Sequence, residues 1–214
     1  MRARYLTSLT LGCALAAALA IVAAPAAQSR ALAVDTAKVT IDGTSNVHAW
    51  TASTTTVRLT RVQLAEGVAA PGFWQAVVKP GGLAAFELAI PAATLQSAKA
   101  DLDKNMHKAL NVKEHADITF RLVRLEPKGL GAEASAKAAP SLRAVGLLKI
   151  AGVEKEVAFD LRTERRDSSL AVNGEVELLM TDFGIAPPKA MLGMLRTDPK
   201  VKITFETVLS VPLT

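Results

Sequence analysis

The residues of this chain whose types lend themselves to metal or nucleophilic chemistry are few, and their spacing argues against both. Of the three histidines, His48, His107 and His115, no two stand four apart on one helix and none is flanked by a cysteine, so the usual metal-ligand spacings are missing. They read as surface or hydrogen-bonding histidines. The fold could still bring His48 and His115 together with a carboxylate such as Asp117, which leaves a histidine-dependent metal or redox protein as the least favoured reading. Asp101 and Asp103 form an acid pair, but they fall at the start of a helical interval, where negative charge complements the helix dipole. The sequence contains no G-x-S-x-G and no glycine-rich phosphate loop. It therefore reads as a non-enzyme, with no catalytic residue, no metal site and no cofactor.

The one cysteine, Cys13, belongs to a different kind of segment. Met1-Arg2-Ala3-Arg4 is followed by an apolar run from Leu9 to Ala24 and an alanine-rich stretch through Ala33, the three regions of a secretory signal in order. Residues 1–33 are expected to be that signal, cleaved after Ala26 (Ala24-Pro25-Ala26) or after Ala33 (Ala31-Leu32-Ala33). Lipidation requires a leucine three residues before the acylated cysteine, where Thr10 stands before Cys13, and cleavage removes the cysteine. An exported chain without disulfides must be held by its core, and one of this size buries roughly 70% of its unfolded surface as one domain. No stable membrane insertion is expected after cleavage. The formal charge is +5, of which Arg2 and Arg4 carry two, and what remains is too dispersed for a nucleic-acid partner.

The rest, 34–214, is organised by period-two alternation, the mark of half-buried strands. Eight strands are expected, near 37–42, 50–65, 82–91, 117–127, 141–150, 153–166, 168–181 and 201–211. Phe86, Leu88 and Ile90 share one face, as do Ile118, Phe120 and Leu122, and Val157, Phe159 and Leu161. Val176, Leu178 and Met180 continue the pattern, and Val201, Ile203 and Phe205 complete it, with charged or polar residues between them. Pro80-Gly81-Gly82, Ala151-Gly152 and Arg166-Asp167-Ser168 supply turns, Asn173-Gly174 marks a bulge or an early turn, and 128–140 reads as a mobile hairpin loop. Residues 98–110 place Leu102, Met106 and Leu110 on one helical stripe, and 187–195 has the spacing of a short helical flap.

The expected fold class is all-β: an eight-stranded antiparallel up-and-down barrel with one or two short helices, a two-sheet sandwich being the alternative. Eight strands enclose either a packed core or space for one small ligand. The interior would be apolar, and the candidate ligand-binding residues are its inward side chains: Phe86, Leu88 and Ile90; Phe120 and Leu122; Phe159; Val176, Leu178 and Met180; Ile203 and Phe205. Ordinary core packing is the alternative for each of them.

An ordered set of motifs spans nearly the whole of this region. It opens with Ile41-Asp42-Gly43-Thr44-Ser45-Asn46-Val47-His48-Ala49-Trp50 and continues with Leu102 to Leu110, then His115-Ala116-Asp117-Ile118-Thr119-Phe120. Gly146-Leu147-Leu148-Lys149-Ile150-Ala151-Gly152-Val153-Glu154-Lys155-Glu156-Val157 follows, and Asp182-Phe183-Gly184-Ile185 and Val201-Lys202-Ile203-Thr204-Phe205 close it. In this the chain resembles the YceI-like family of exported bacterial proteins, with Lys104-Asn105 standing where that family usually has Arg-Asp and Ala116 where it usually has proline. The resemblance implies a lipocalin-like barrel in the periplasm, or a secreted one, whose tunnel holds a polyisoprenoid or a prenylated quinone-like lipid. It implies a hydrophobic small-molecule partner, and a homodimer is compatible with it. The competing reading is a solid-cored interaction module acting through loops such as 128–140 and 181–198, with Trp50, Phe73 and Trp74 as surface anchors.

Overall fold

The computed structural model describes residues 32–65, 72–128, 141–190 and 194–211, so the signal segment through residue 31 and the loop at 129–140 lie outside the described residues. The alternation read above becomes one antiparallel sheet. Its strands are β1 (Ala33–Ser45), β2 (Ala49–Thr54), β3 (Arg58–Leu64), β4 (Leu83–Pro91), β5 (Gln96–Ser97), β6 (Asp117–Pro127), β7 (Ser141–Ile150), β8 (Val153–Arg166), β9 (Ser169–Leu179), β10 (Lys189–Ala190) and β11 (Leu195–Ser210). They pair in the order β3-β4-β6-β7-β8-β9-β11-β1-β2-β5, with β10 pairing to β11 off this path. Sequential strands are neighbours from β6 to β9, joined at Ala151-Gly152 and Asp167-Ser168, and the first strand meets the last where Ala33 pairs with Ser210.

The expectation of eight strands is corrected to eleven among the described residues. The run at 50–65 is two strands, because the chain leaves the sheet at Thr55-Thr56-Val57 after Thr54 has paired with Val39. Two dipeptide strands, β5 and β10, carry no periodic signal that eight-residue reasoning could find. Closure also differs: the sheet curls around a lumen, but the terminal strands β3 and β5 hydrogen-bond only inward along the path, and β1 meets β3 without a ladder. Asn173-Gly174 is neither bulge nor turn. It runs in register, Asn173 opposite Glu206 and Gly174 opposite Phe205.

Two helices lie against the ends of this curled sheet. Helix α2 (Ala100–Ala109) matches the predicted stripe, with Asp101 and Asp103 in its first turn and His107 and Lys108 in its last, the charge order the dipole favours. Helix α1 (Phe73–Val77) was not expected. The flap at 187–195 is not helical where it is described: Lys189 and Ala190 pair with Arg196 and Leu195. The outer face carries cross-strand ion pairs, among them Glu175 with Lys202 at 2.8 Å and Glu177 with Lys200 at 2.7 Å. These exposed pairs set register more than they add stability.

Candidate functional site

The inward face of the sheet is lined almost without interruption by apolar side chains, because each strand alternates in phase with its neighbours. Ile90 stands opposite Ile118, Leu88 opposite Phe120, and Phe120 opposite Leu148. On the far wall Val176 pairs with Ile203 and Leu178 with Val201. The space they enclose is one cavity of about 340 Å³, within the range of roughly 300–1,000 Å³ common for ligand pockets. From Leu170 to Leu178 along a strand tilted by roughly 40°, the lumen is on the order of 20 Å long. All eleven residues singled out in the sequence, from Phe86 to Phe205, line it. Most of the large ones are only half-buried although they point inward, since part of each side chain faces the lumen instead of another side chain.

Aromatic rings form the waist. Phe159 lies 5.5 Å from Phe120 and 5.4 Å from Phe205, the second pair edge to face, a favourable geometry for aromatic quadrupoles. Their placement depends on glycine in the adjacent strand. A Cβ at Gly174 would stand 2.4 Å from Phe205 Cζ, and one at Gly146 2.4 Å from Phe120. These rings lie flat on the wall because nothing projects beneath them. Trp50 lies on Gly43 in the same way. Glycine pays a conformational penalty in a strand, and here the penalty keeps the bore open.

The two ends of the lumen differ. At one end α1 is a plug: Phe73 is 8% and Trp74 5% exposed, they meet edge to face at 5.1 Å, and they pack with Leu32, Leu170 and Leu209. Trp74 Nε1 donates to Ser168 O at 3.3 Å. Phe73 and Trp74 are thus structural, not the surface anchors an interaction module would need, and Trp50 lines the lumen. The other end is covered in part by α2, through Leu102, Met106 and Leu110, and by the 3-10 turn Met180–Phe183, whose Phe183 packs with Ile150 and Ile185. The exposed members of the lining, Asn105, Leu179 and Lys189, all stand at this end. Among the described residues, then, the lumen is closed at α1 and open beside α2.

The chemistry-bearing side chains are occupied elsewhere. His107 Nε2 donates to Leu95 O at 2.8 Å, the His115 ring packs over Gly152, and Asp117 holds Arg58 at 2.7 Å. Asp103 accepts from Ser97 N at 2.7 Å, and hydrogen bonding from Ser97, from its side chain first and then from this N–H, holds the carboxyl below the usual carboxylate range. Among the described residues no group of three or more His, Cys, Asp or Glu is placed to hold a metal ion, and no helix is long and apolar enough to cross a membrane. What the sequence could not indicate is the polarity of the sac. Its plug is a five-residue helix with too few turns to show a period, and its rim residues come from α2 and the β10 to β11 hairpin.

Comparison with known proteins agrees with this architecture. The sequence profile of the YceI-like domain matches residues 32–209. Among solved structures, BcnA from Burkholderia cenocepacia is similar at a TM-score of 0.59 and 14% identity, with 80% of this chain and 95% of that one covered. A polyisoprenoid binding domain from Saccharophagus degradans, implicated in plant cell wall breakdown, gives 0.58 and 13%, covering 85% and 99%. A YceI protein from Campylobacter jejuni gives 0.51 and 13%, covering 73% and 82%. No curated protein sequence matches the chain. At such identities the structural likeness carries the fold alone.

Proposed function

We propose that this chain, which belongs to the YceI-like domain family, is an exported carrier that holds one long apolar chain, an isoprenoid or similar lipid, in its lumen. The observation that carries the reading is the lumen itself: a continuous sac walled by inward Phe, Leu, Ile and Val, with no Asp or Glu among the described residues of its lining. Such walls recognise length and apolarity. Burying about 20 carbons at roughly 0.8 kcal/mol each supplies a gross ~16 kcal/mol before the costs of ordering and association. The related domain described as polyisoprenoid binding supports an isoprenoid as the chain. The same apolar walls speak for binding: His107 is tied to the Leu95 carbonyl and Asp117 to Arg58, and none of His107, His115 and Asp117 lines the lumen.

Export places the carrier in the periplasm or outside the cell, where no thiol chemistry is asked of it. Of the two cleavage sites, the one after Ala26 is the better fit. Leu32 is 5% exposed, packs with Trp74 and Leu209 and lines the lumen, and cleavage after Ala33 would remove it. The first test is mass spectrometry of an organic extract from protein expressed as the full chain and purified after export. A co-purifying long-chain prenyl lipid is the expected result. Protein that carries no lipid and also fails to take up added prenyl chains overturns the proposal.

A further inference from the structure

We infer that the open end carries a membrane foot. The β1 to β2 and β10 to β11 hairpins dock together on the surface of an anionic phospholipid bilayer, where Val47 and Met194 enter the lipid and Lys189 and Arg196 meet its phosphates. Docking goes beyond the carrier reading, since it belongs to the outer surface and needs no cargo. It sets the mouth against the phase in which water-insoluble chains reside.

Three of the four large hydrophobics that are exposed among the described residues stand at this end, Val47 at 68%, Met194 at 73% and Leu179 at 42%, and the fourth, Val123, lies on the wall. A scattered exposed side chain needs no explanation, but Val47 and Met194 sit on hairpins that are bonded to each other. Asn46 Nδ2 donates to Met194 O at 2.8 Å, the Arg196 N–H donates to Asn46 Oδ1 at 2.8 Å, and the Asn46 N–H donates to Arg196 O at 3.1 Å. Ser45 Oγ accepts from the N–H groups of Val47 and His48. The tip is therefore ordered in advance and loses little freedom on docking.

The joined hairpins also project. β9 leaves β11 at the pair of Leu179 with Lys200, whereas β1 continues to Ser45 opposite Thr197, and β10 adds Lys189 opposite Arg196 and Ala190 opposite Leu195. At about 3.3 Å per residue this carries the tip on the order of 10 Å further. Lys189, Leu195 and Thr197 line the lumen as well, so the foot is one lip of its mouth. Charge selects the partner. The sequence 185–197 holds Lys189 and Arg196 and no acid, and 45–49 adds only His48. Across the mouth α2 is balanced, Lys104 and Lys108 against Asp101 and Asp103, and Lys200 is matched by Glu177. Basic residues beside apolar tips suit a surface that offers phosphates outside and hydrocarbon beneath.

The experiment sediments the full chain, purified after export, with vesicles of phosphatidylcholine alone or mixed with phosphatidylglycerol, in low and in high salt. Val47→Ser, Met194→Ser, their double variant, Lys189→Gln and, on the wall, Val123→Ser are compared with the wild type, and melting curves confirm that each is folded. The expected result is binding to the phosphatidylglycerol vesicles that salt weakens. Lys189→Gln should lower it about 5-fold and each serine at the tip about 3- to 10-fold, with Val123→Ser unchanged. Wild type that stays in solution with both vesicles, or folded tip variants that sediment as the wild type does, overturns the foot. Equal binding to neutral vesicles overturns the anionic partner. A dimer in the absence of vesicles that the tip variants dissociate makes a second copy of the chain the occupant and overturns the bilayer. Prenyl-chain uptake without vesicles judges the carrier reading separately, so either can fail while the other stands.

Discussion

Replacing Gly174 by alanine should damage the lumen more than the fold. In an open strand the change would be mildly favourable, by about 0.5–1 kcal/mol, because glycine loses the most freedom on folding. Here the new Cβ meets Phe205 Cζ at 2.4 Å, Phe205 Cε1 at 3.0 Å and the Asp160 carbonyl oxygen at 2.9 Å. The carbonyl belongs to the β8 ladder and yields little, so the ring must lift from the wall. Overpacking of this kind costs about 1–3 kcal/mol, and the net effect should be a loss of about 1–2 kcal/mol in chemical denaturation with an unchanged m-value. The lifted ring swings into the waist, where Phe159 already stands 5.4 Å from it. If it denies the ligand two or three methylenes at roughly 0.8 kcal/mol each, affinity for a prenyl chain falls about 15- to 60-fold. Gly174→Ala with Phe205→Leu should recover most of both losses, a coupling that a double-mutant cycle reads directly. Equal stability and unchanged affinity for Gly174→Ala, or strict additivity in the cycle, would refute the argument that glycine holds the bore open.

Other expectations follow from the two ends and the mouth. Trp74→Ala removes the centre of the plug and should cost about 3–5 kcal/mol, with faster ligand release than in a variant of similar stability mutated on the outer face; stopped-flow release separates the two. Because Trp50 lines the lumen and Trp74 does not, prenyl-chain binding should shift tryptophan emission in the wild type and not in Trp50→Phe. The depressed Asp103 carboxyl, held down chiefly by its hydrogen bond from Ser97, contributes stability that is present above its unfolded pKa and lost as pH falls through its folded one. Asp103→Asn should therefore lower Tm at neutral pH and converge with the wild type in acid, and parallel melting curves at every pH would refute the assignment.

Much of this was legible in the sequence, for a physical reason. Alternation with period two fixes which face a side chain occupies, so residues such as Leu88, Val176 and Ile203 could be placed on one inward face from sequence, but not around a cavity. Alternation cannot show what lies beside a strand. Gly174 looked like a bulge or turn signal because the ring that explains it, Phe205, sits on a neighbouring strand about thirty positions away. The break at Thr55-Thr56-Val57 was hidden because threonine and valine suit a strand as well as a gap. Phe73 and Trp74 lie outside every periodic run, which left them as candidate surface anchors on the interaction-module reading. Five residues of helix leave no periodicity to correct that impression.

The measurement that bears most directly on the lumen as a lipid site is an experimental electron-density map of the exported protein crystallised with a tetraprenyl ketone. The account predicts elongated density entering beside Asn105 and Lys189, passing the waist of Phe120, Phe159 and Phe205, and ending short of Trp74. An interior filled by collapsed side chains or ordered water, with the ketone on the outer surface or nowhere, would contradict it.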